Sequence, residues 1–205
     1  MKPIVVSDIL AVGEVPTPDQ MDILAKAGFR SVVNNQPDGE VDRFPGSAAL
    51  AADAKKHGLG YAFAPLTSRT PSASELQDYA TALRALPAPI FAFCYSGARS
   101  AAGCALLLTE TMEPDAIVRQ FADAGFEVDS LRPWLDDERA RRAVPAKADD
   151  HGEHLPPAAN GPSAVVSVAK DQPAPTAAAA PLPIAAAVQG IVVHARAAGY
   201  GGFAM

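Results

Sequence analysis

An apolar run that stops at a cysteine and opens into a short polar loop constrains this chain more than any other stretch. Phe91-Ala92-Phe93-Cys94 leads into Tyr95-Ser96-Gly97-Ala98-Arg99-Ser100, and Ala101-Ala102-Gly103-Cys104-Ala105-Leu106-Leu107-Leu108 follows. The pattern predicts a strand, a tight loop and a helix start. It puts a thiol at the strand's end and a cation five positions on. Amides at a helix N-terminus point outward and favour an anion before them. A thiol in that place is expected to have a lowered pKa and to act as a nucleophile.

Strand and helix signals alternate up to about residue 143. Ile4 to Ser7, Ile9 to Val12, Phe29 to Val33, Tyr61 to Ala64 and Ile90 to Phe93 read as strands. Thr17-Pro18-Asp19 reads as an N-cap, a proline at the first helical position and an acid in the first turn, with Gly28 closing that helix. A second helix runs from about Gly46 to Lys56. Ser72 and Glu75 form a capping box for a third, which ends before Pro87. Two more are expected from Pro114 to Ala124 and from about Asp129 to Arg141. The alternation predicts an α/β three-layer domain with a mainly parallel central sheet over residues 1–143. Ligands of such sheets bind beyond the carboxyl ends of strands, and Cys94 is at one.

The net charge of −6 and the lack of a basic cluster argue against nucleic acid as a partner. Two cysteines make no disulfide framework, and the N-terminal apolar run is too short for a secretory signal. A reducing, cytoplasmic setting is expected. From Pro145 to Pro183 there are eight prolines among many alanines. With no helical or strand period, residues 144–190 are expected to be a flexible, disordered linker. The prolines also argue against a membrane span over the uncharged stretch from Gln172 to Ala195. Residues 191–205 look like the opening of a dinucleotide-binding unit, with Gly199, Gly201 and Ala204 at G-x-G-x-x-A positions. They read as a glycine-rich stub, either a disordered end or a truncated flavoprotein domain that cannot hold a dinucleotide by itself. No cofactor and no metal is implied; His151, Glu153 and His154 lie in the linker with no scaffold to orient them.

Two designs place a cysteine in a strand–loop–helix cradle. Tyrosine and dual-specificity phosphatases have arginine six positions after the cysteine, commonly a histidine before it, and a general-acid aspartate from another loop. Rhodanese-type sulfurtransferases have a loop one residue shorter and carry sulfane sulfur as a persulfide, with no leaving alcohol to protonate. Here four residues separate Cys94 from Arg99, Phe93 precedes the cysteine, and Leu66-Thr67-Ser68-Arg69-Thr70-Pro71 contains no acid. All three features favour persulfide chemistry.

Gly28-Phe29-Arg30-Ser31-Val32-Val33-Asn34-Asn35-Gln36-Pro37-Asp38-Gly39-Glu40 and Cys94-Tyr95-Ser96-Gly97-Ala98-Arg99-Ser100 together resemble the two signatures of the phosphatase-like domain of beta-lactamase-hydrolase-like proteins. The resemblance covers about residues 1–140. It implies a dual-specificity-phosphatase-like fold often labelled a sulfur transferase. It also implies a persulfide-dioxygenase-like or flavin-dependent oxidoreductase partner domain. One departure is Gln36, where the family's motif commonly has arginine, which removes one charge from the pocket rim.

The expected catalytic residues are Cys94, as sulfur carrier, and Arg99. Tyr95, Ser96, Gly97, Ala98 and Ser100 would form the anion-binding loop. Tyr95 is expected to expose its ring at the pocket mouth, and Ser100 to bond the thiolate or cap the helix. Asn34 and Asp38 are candidates for the pocket rim, although they, like Glu40, fit turn chemistry better. Cys104 fits core packing and His57 a helix end. The leading expectation is a sulfurtransferase moving sulfur from a small donor to a thiol acceptor. The alternatives are a cysteine-dependent phosphatase, with Glu75 or Asp38 as its acid, and a non-catalytic anion or redox sensor.

Overall fold

Each crossover helix begins at the signal the sequence carries for it. The computed structural model describes residues 3–143 and 165–167. Strands β1 (Ile4–Ser7) and β2 (Leu10–Glu14) come first, then helix α1 (Pro18–Lys26). Thr17 caps α1 in a reciprocal capping box with Gln20. Strand β3 (Ser31–Asn34), helix α2 (Ser47–Lys56), strand β4 (Gly60–Phe63) and helix α3 (Ala73–Ala85) follow. Ser72 and Glu75 cap α3 as expected. Strand β5 (Ile90–Cys94) leads to α4 (Ala98–Leu108) and α5 (Pro114–Asp123). The last helical signal divides into a 3₁₀ turn, Asp129–Leu131, and α6 (Arg132–Ala143).

The strands form one sheet in the order β1-β2-β5-β3-β4-β6. β2, β5, β3 and β4 run parallel, and β1 is antiparallel on one edge. Strand β6 (Val165–Ser167) adds antiparallel to β4 on the other edge. That corrects the expectation of a linker without strands. Three residues are too few to show a period, and edge pairing uses backbone groups that composition does not reveal. The rest of the expected linker and the glycine-rich segment 191–205 lie outside the described residues.

Helices cover both faces, which makes three layers. Met21 and Leu24 of α1 and Leu50 and Ala54 of α2 pack on one face with Phe91 and Phe93. Leu76 and Tyr79 of α3, Ala101 and Cys104 of α4, and Ile117 and Phe121 of α5 pack on the other with Ile90 and Ala92. β5 is buried along its whole length. A central parallel strand covered on both faces reads as a continuous apolar run, as Ile90 to Cys94 does.

The order of the strands positions the site. The chain moves outward from β3 to β4 and returns to place β5 between β2 and β3. The helix after β3 lies on one face and the helix after β5 on the other, which opens a crevice at their carboxyl ends. Cys94 ends β5 at that switch point. Among the described residues no helix is long and apolar enough to cross a membrane.

Candidate active site

Cys94 is a buried free thiol at the last position of β5. Gly97 is the N-cap of α4, with φ +83° and no side chain to cap the helix. A Cβ at Gly97 would come within 3.0 Å of the Gly13 carbonyl carbon on β2. The loop is therefore held against a neighbouring strand, in a backbone conformation that favours glycine.

The Asn34-Asn35-Gln36 segment builds the other wall. The Asn35 backbone N–H donates to Phe93 O at 2.7 Å, which continues the β3–β5 pairing past the end of β3. Its side chain donates from Nδ2 to Ala64 O at 2.7 Å and accepts from Ser100 Oγ at 2.8 Å. Leu66 N–H donates to Asn35 O at 3.0 Å. One buried asparagine thus joins β3, the chain after β4 and the first turn of α4. Ser100 is spent in this tie: its hydroxyl points to Asn35, which corrects both roles expected for it. Asn34 is buried rather than on a rim. Its Oδ1 accepts from Gln36 N–H at 2.8 Å, an Asx turn, and its Nδ2 donates to Tyr61 Oη at 3.0 Å.

Arg99 is 9% exposed, and both terminal nitrogens of its guanidinium are bonded within the protein. Nη1 donates to Glu40 Oε1 at 3.0 Å and to Leu66 O at 3.1 Å. Nη2 donates to Glu40 Oε2 at 2.6 Å and to Gln36 Oε1 at 2.9 Å. Gln36 Nε2 donates in turn to the Glu40 carboxylate. The amide orientation suits both charges, oxygen to the guanidinium and nitrogen to the carboxylate. A bidentate arginine–carboxylate pair of this kind is strongly directional. Burial alone would lower the pKa of Arg99; its hydrogen bonds to the Glu40 carboxylate and the charge of Cys94 outweigh it and raise the pKa. The Arg99 hydrogen bond holds the Glu40 carboxyl below the usual range, against some desolvation. Sequence reading assigned Glu40 to a turn and missed this pair. Only the spacing within the first signature, four residues from Gln36 to Glu40, hinted at it.

The two acids expected to serve a phosphatase are occupied elsewhere. Glu75 Oε1 accepts from Thr67 N–H and Oγ1, both at 2.8 Å, and Oε2 accepts from Ser72 N–H at 2.7 Å. Partial burial works against ionisation of Glu75, but these hydrogen bonds prevail and lower its pKa. Asp38 accepts from Ser47 N–H at 2.6 Å and Ser47 Oγ at 2.5 Å, so it anchors the start of α2 instead of lining the cradle. Glu14 is the acid that sequence reading did not consider. It is the register partner of Cys94 across β2–β5, and its side chain is exposed.

At the mouth, Tyr95 is 44% exposed and its ring packs edge-on against Phe44, with centroids 5.6 Å apart. Arg43 donates to Tyr95 Oη at 2.9 Å and lies over both rings. Cys104 is buried in the apolar face of α4, and burial pushes its thiol up to about 12. His57 ends α2 as expected, close to Asp22 and Asp53.

Residues 4–109, from β1 through α4, match the model of the phosphatase-like domain of beta-lactamase hydrolase-like proteins. The chain is 28% identical over 137 residues to a beta-lactamase hydrolase-like protein of Xylella fastidiosa, covering 66% of this chain and 32% of that one. It is 26% identical over 149 residues to one of Agrobacterium fabrum, covering 71% of this chain and 34% of that one. The chain thus spans about a third of the length of the curated relatives it matches. Among solved structures, the fold resembles that of a Neisseria meningitidis protein described as a candidate phosphatase. The TM-score is 0.62 at 23% identity, over 68% of this chain and 99% of that one. It also resembles a Shewanella putrefaciens candidate phosphatase, with a TM-score of 0.55 at 16% identity, over 69% and 93% of the two chains. Kinase associated phosphatase gives a TM-score of 0.53 at 17% identity, over 66% and 88%. The dual-specificity-phosphatase-like α/β fold, and the cysteine-ended strand that it sets at a switch point, agree with the family match: the chain belongs to the beta-lactamase hydrolase-like phosphatase-like domain family.

Proposed function

We propose that this phosphatase-like domain is a thiol enzyme in which Cys94 carries sulfane sulfur. The observation that carries the reading is the state of the acids: the loop after β4 contains none, and Glu75 and Asp38, the two expected to serve a leaving alcohol, are bonded at the starts of α3 and α2. Phosphomonoester hydrolysis needs such a proton, and its loss costs about 10²–10⁴-fold in rate. Sulfur transfer does not. The Cys94 thiolate attacks the outer sulfur of an organic hydropersulfide, the donor's S–S bond breaks, and its electron pair leaves with the donor thiolate. The proton on the outer sulfur stays with it. An acceptor thiolate then takes that sulfur and regenerates Cys94. The amides from Tyr95 to Arg99 are suited to hold the terminal sulfur. The four-residue spacing to Arg99 gives a ring sized for one atom rather than a tetrahedral oxyanion. The product would pass to a small thiol, or to a partner of persulfide-dioxygenase or flavin-dependent oxidoreductase type in a reducing compartment.

A second reading, a cysteine-dependent phosphatase, is supported by the fold and by Glu14 beside Cys94 in the sheet. One purified sample separates the two. Sulfur transfer from glutathione persulfide to a thiol should far exceed turnover of an aryl phosphate, Cys94→Ser should abolish the first, and Glu14→Gln should leave it intact. Aryl phosphate turnover lost in both variants, with no sulfur transfer in the parent, would establish the phosphatase instead.

A further inference from the structure

The Glu40–Arg99 pair changes what the cradle can hold. An arginine beside a nucleophilic cysteine is expected to bind an anionic ligand, yet here both terminal nitrogens of Arg99 are bonded inside the protein. Its formal charge is cancelled by Glu40. Gln36, which bridges the two, supplies no charge of its own. Arg43 lies over the Phe44 and Tyr95 rings and donates to the Tyr95 hydroxyl, so it is held at the mouth. Once Cys94 is ionised, Cys94, Arg99 and Glu40 together carry one net negative charge. A dianion entering the cradle would meet that charge and would have to compete with Glu40 for the guanidinium. In a partly buried site, like charges a few ångströms apart interact several-fold more strongly than in water. The Glu40 carboxyl, held below its usual range by Arg99, stays ionised at neutral pH.

We propose that Glu40, held on Arg99 by Gln36, is a specificity-determining residue that makes the cradle select ligands of low charge. The site takes the singly charged or neutral outer sulfur of an organic hydropersulfide or polysulfide. It discriminates against dianionic groups such as phosphate monoesters and thiosulfate. The choice of sulfur donor rests on the sulfur-transfer reading; the charge selection does not. Glu40 acts through Arg99 and through its own field, so it is a positioning and selecting residue rather than a catalytic one.

Equilibrium binding of tungstate, a tetrahedral dianion, to the reduced 205-residue chain tests the selection without turnover. Glu40→Gln keeps a hydrogen-bonding side chain on Arg99 but removes the charge. Gln36→Arg keeps Glu40 and gives it a second cation, which relieves Arg99. Both variants should bind tungstate about tenfold or more tightly than the parent. In both, the rate of Cys94 persulfidation by thiosulfate should rise relative to that by glutathione persulfide. Thermal unfolding of each variant checks that it is folded. If both folded variants bind tungstate no better than the parent, Glu40 merely orients Arg99 and the proposal is overturned. Tighter tungstate binding with no sulfur on Cys94 from either donor would keep the charge selection and remove the sulfur-transfer reading. Persulfidation with unchanged tungstate binding would do the reverse.

Discussion

Helices α3 and α4 lie on the same face of the sheet and begin in opposite ways. α3 starts with a complete capping box, and the Glu75 carboxylate also binds the Thr67 amide and hydroxyl of the preceding loop. α4 starts at a left-handed glycine with no side-chain cap. The first helix has satisfied its own N-terminus; the second is left with donors pointing at the end of β5. Leaving amides uncapped costs stability, about a few tenths of a kcal/mol where glycine stands in place of a good cap. The comparison teaches where that cost is accepted: beside Cys94, and not one crossover earlier. It also explains why the loop before α3 cannot lend an acid. Its nearest carboxylate is already part of the helix start.

The largest expected effect comes from closing the open end. Gly97→Ala forces a side chain into positive φ and against the Gly13 backbone. It should cost about 2 kcal/mol of stability in chemical denaturation and about a hundredfold in Cys94 reactivity toward a thiol probe. Asn35→Ala removes the tie between α4 and the rest of the crevice, leaving Ser100 and Ala64 O without partners. About 2 kcal/mol should be lost by the same measurement. An unchanged midpoint would mean that α4 is held by packing alone. Ser72→Ala strikes the capped helix and should cost about 1 kcal/mol while leaving the thiol's reactivity intact. A matching loss of reactivity would show that the two helix starts are not independent.

The smallest effect is in acid. Glu40 and Glu75 both have pKa values lowered from 4.5 by folding. The folded state therefore binds fewer protons than the unfolded one, and their contribution is complete above the ordinary carboxylate range. It fades as pH falls through the lowered values. Both groups are partly solvated, so each should matter by less than about 1 kcal/mol. Thermal unfolding of Glu75→Gln should show a shallower loss between roughly pH 5 and pH 3 than the parent. An identical slope would place the acid sensitivity elsewhere.

What could be read from the chain in advance was local. Thr17, Ser72 and Gly28 mark helix ends through contacts within a few residues, and the structure places the ends there. The apolar run at Ile90 to Cys94 announced the central strand because both its faces are covered. Long-range pairing was not legible. Arg99 meets Glu40 across 59 positions and Ser100 meets Asn35 across 65. Beyond the four-residue spacing from Gln36 to Glu40, neither segment distinguishes a turn acid from an arginine's partner. The same limit hid β6, whose three residues pair with β4 through backbone groups, and the standing of Glu14 beside Cys94, which depends on strand order.

The central claim is that Cys94 accepts a sulfur atom, and intact-mass spectrometry tests it most directly. The reduced protein, treated with a stoichiometric amount of glutathione persulfide and freed of donor, should gain the mass of one sulfur atom on Cys94. Cys94→Ser should gain none, and adding a thiol should return the original mass. A protein that stays unmodified while hydrolysing an aryl phosphate through Cys94 would contradict it.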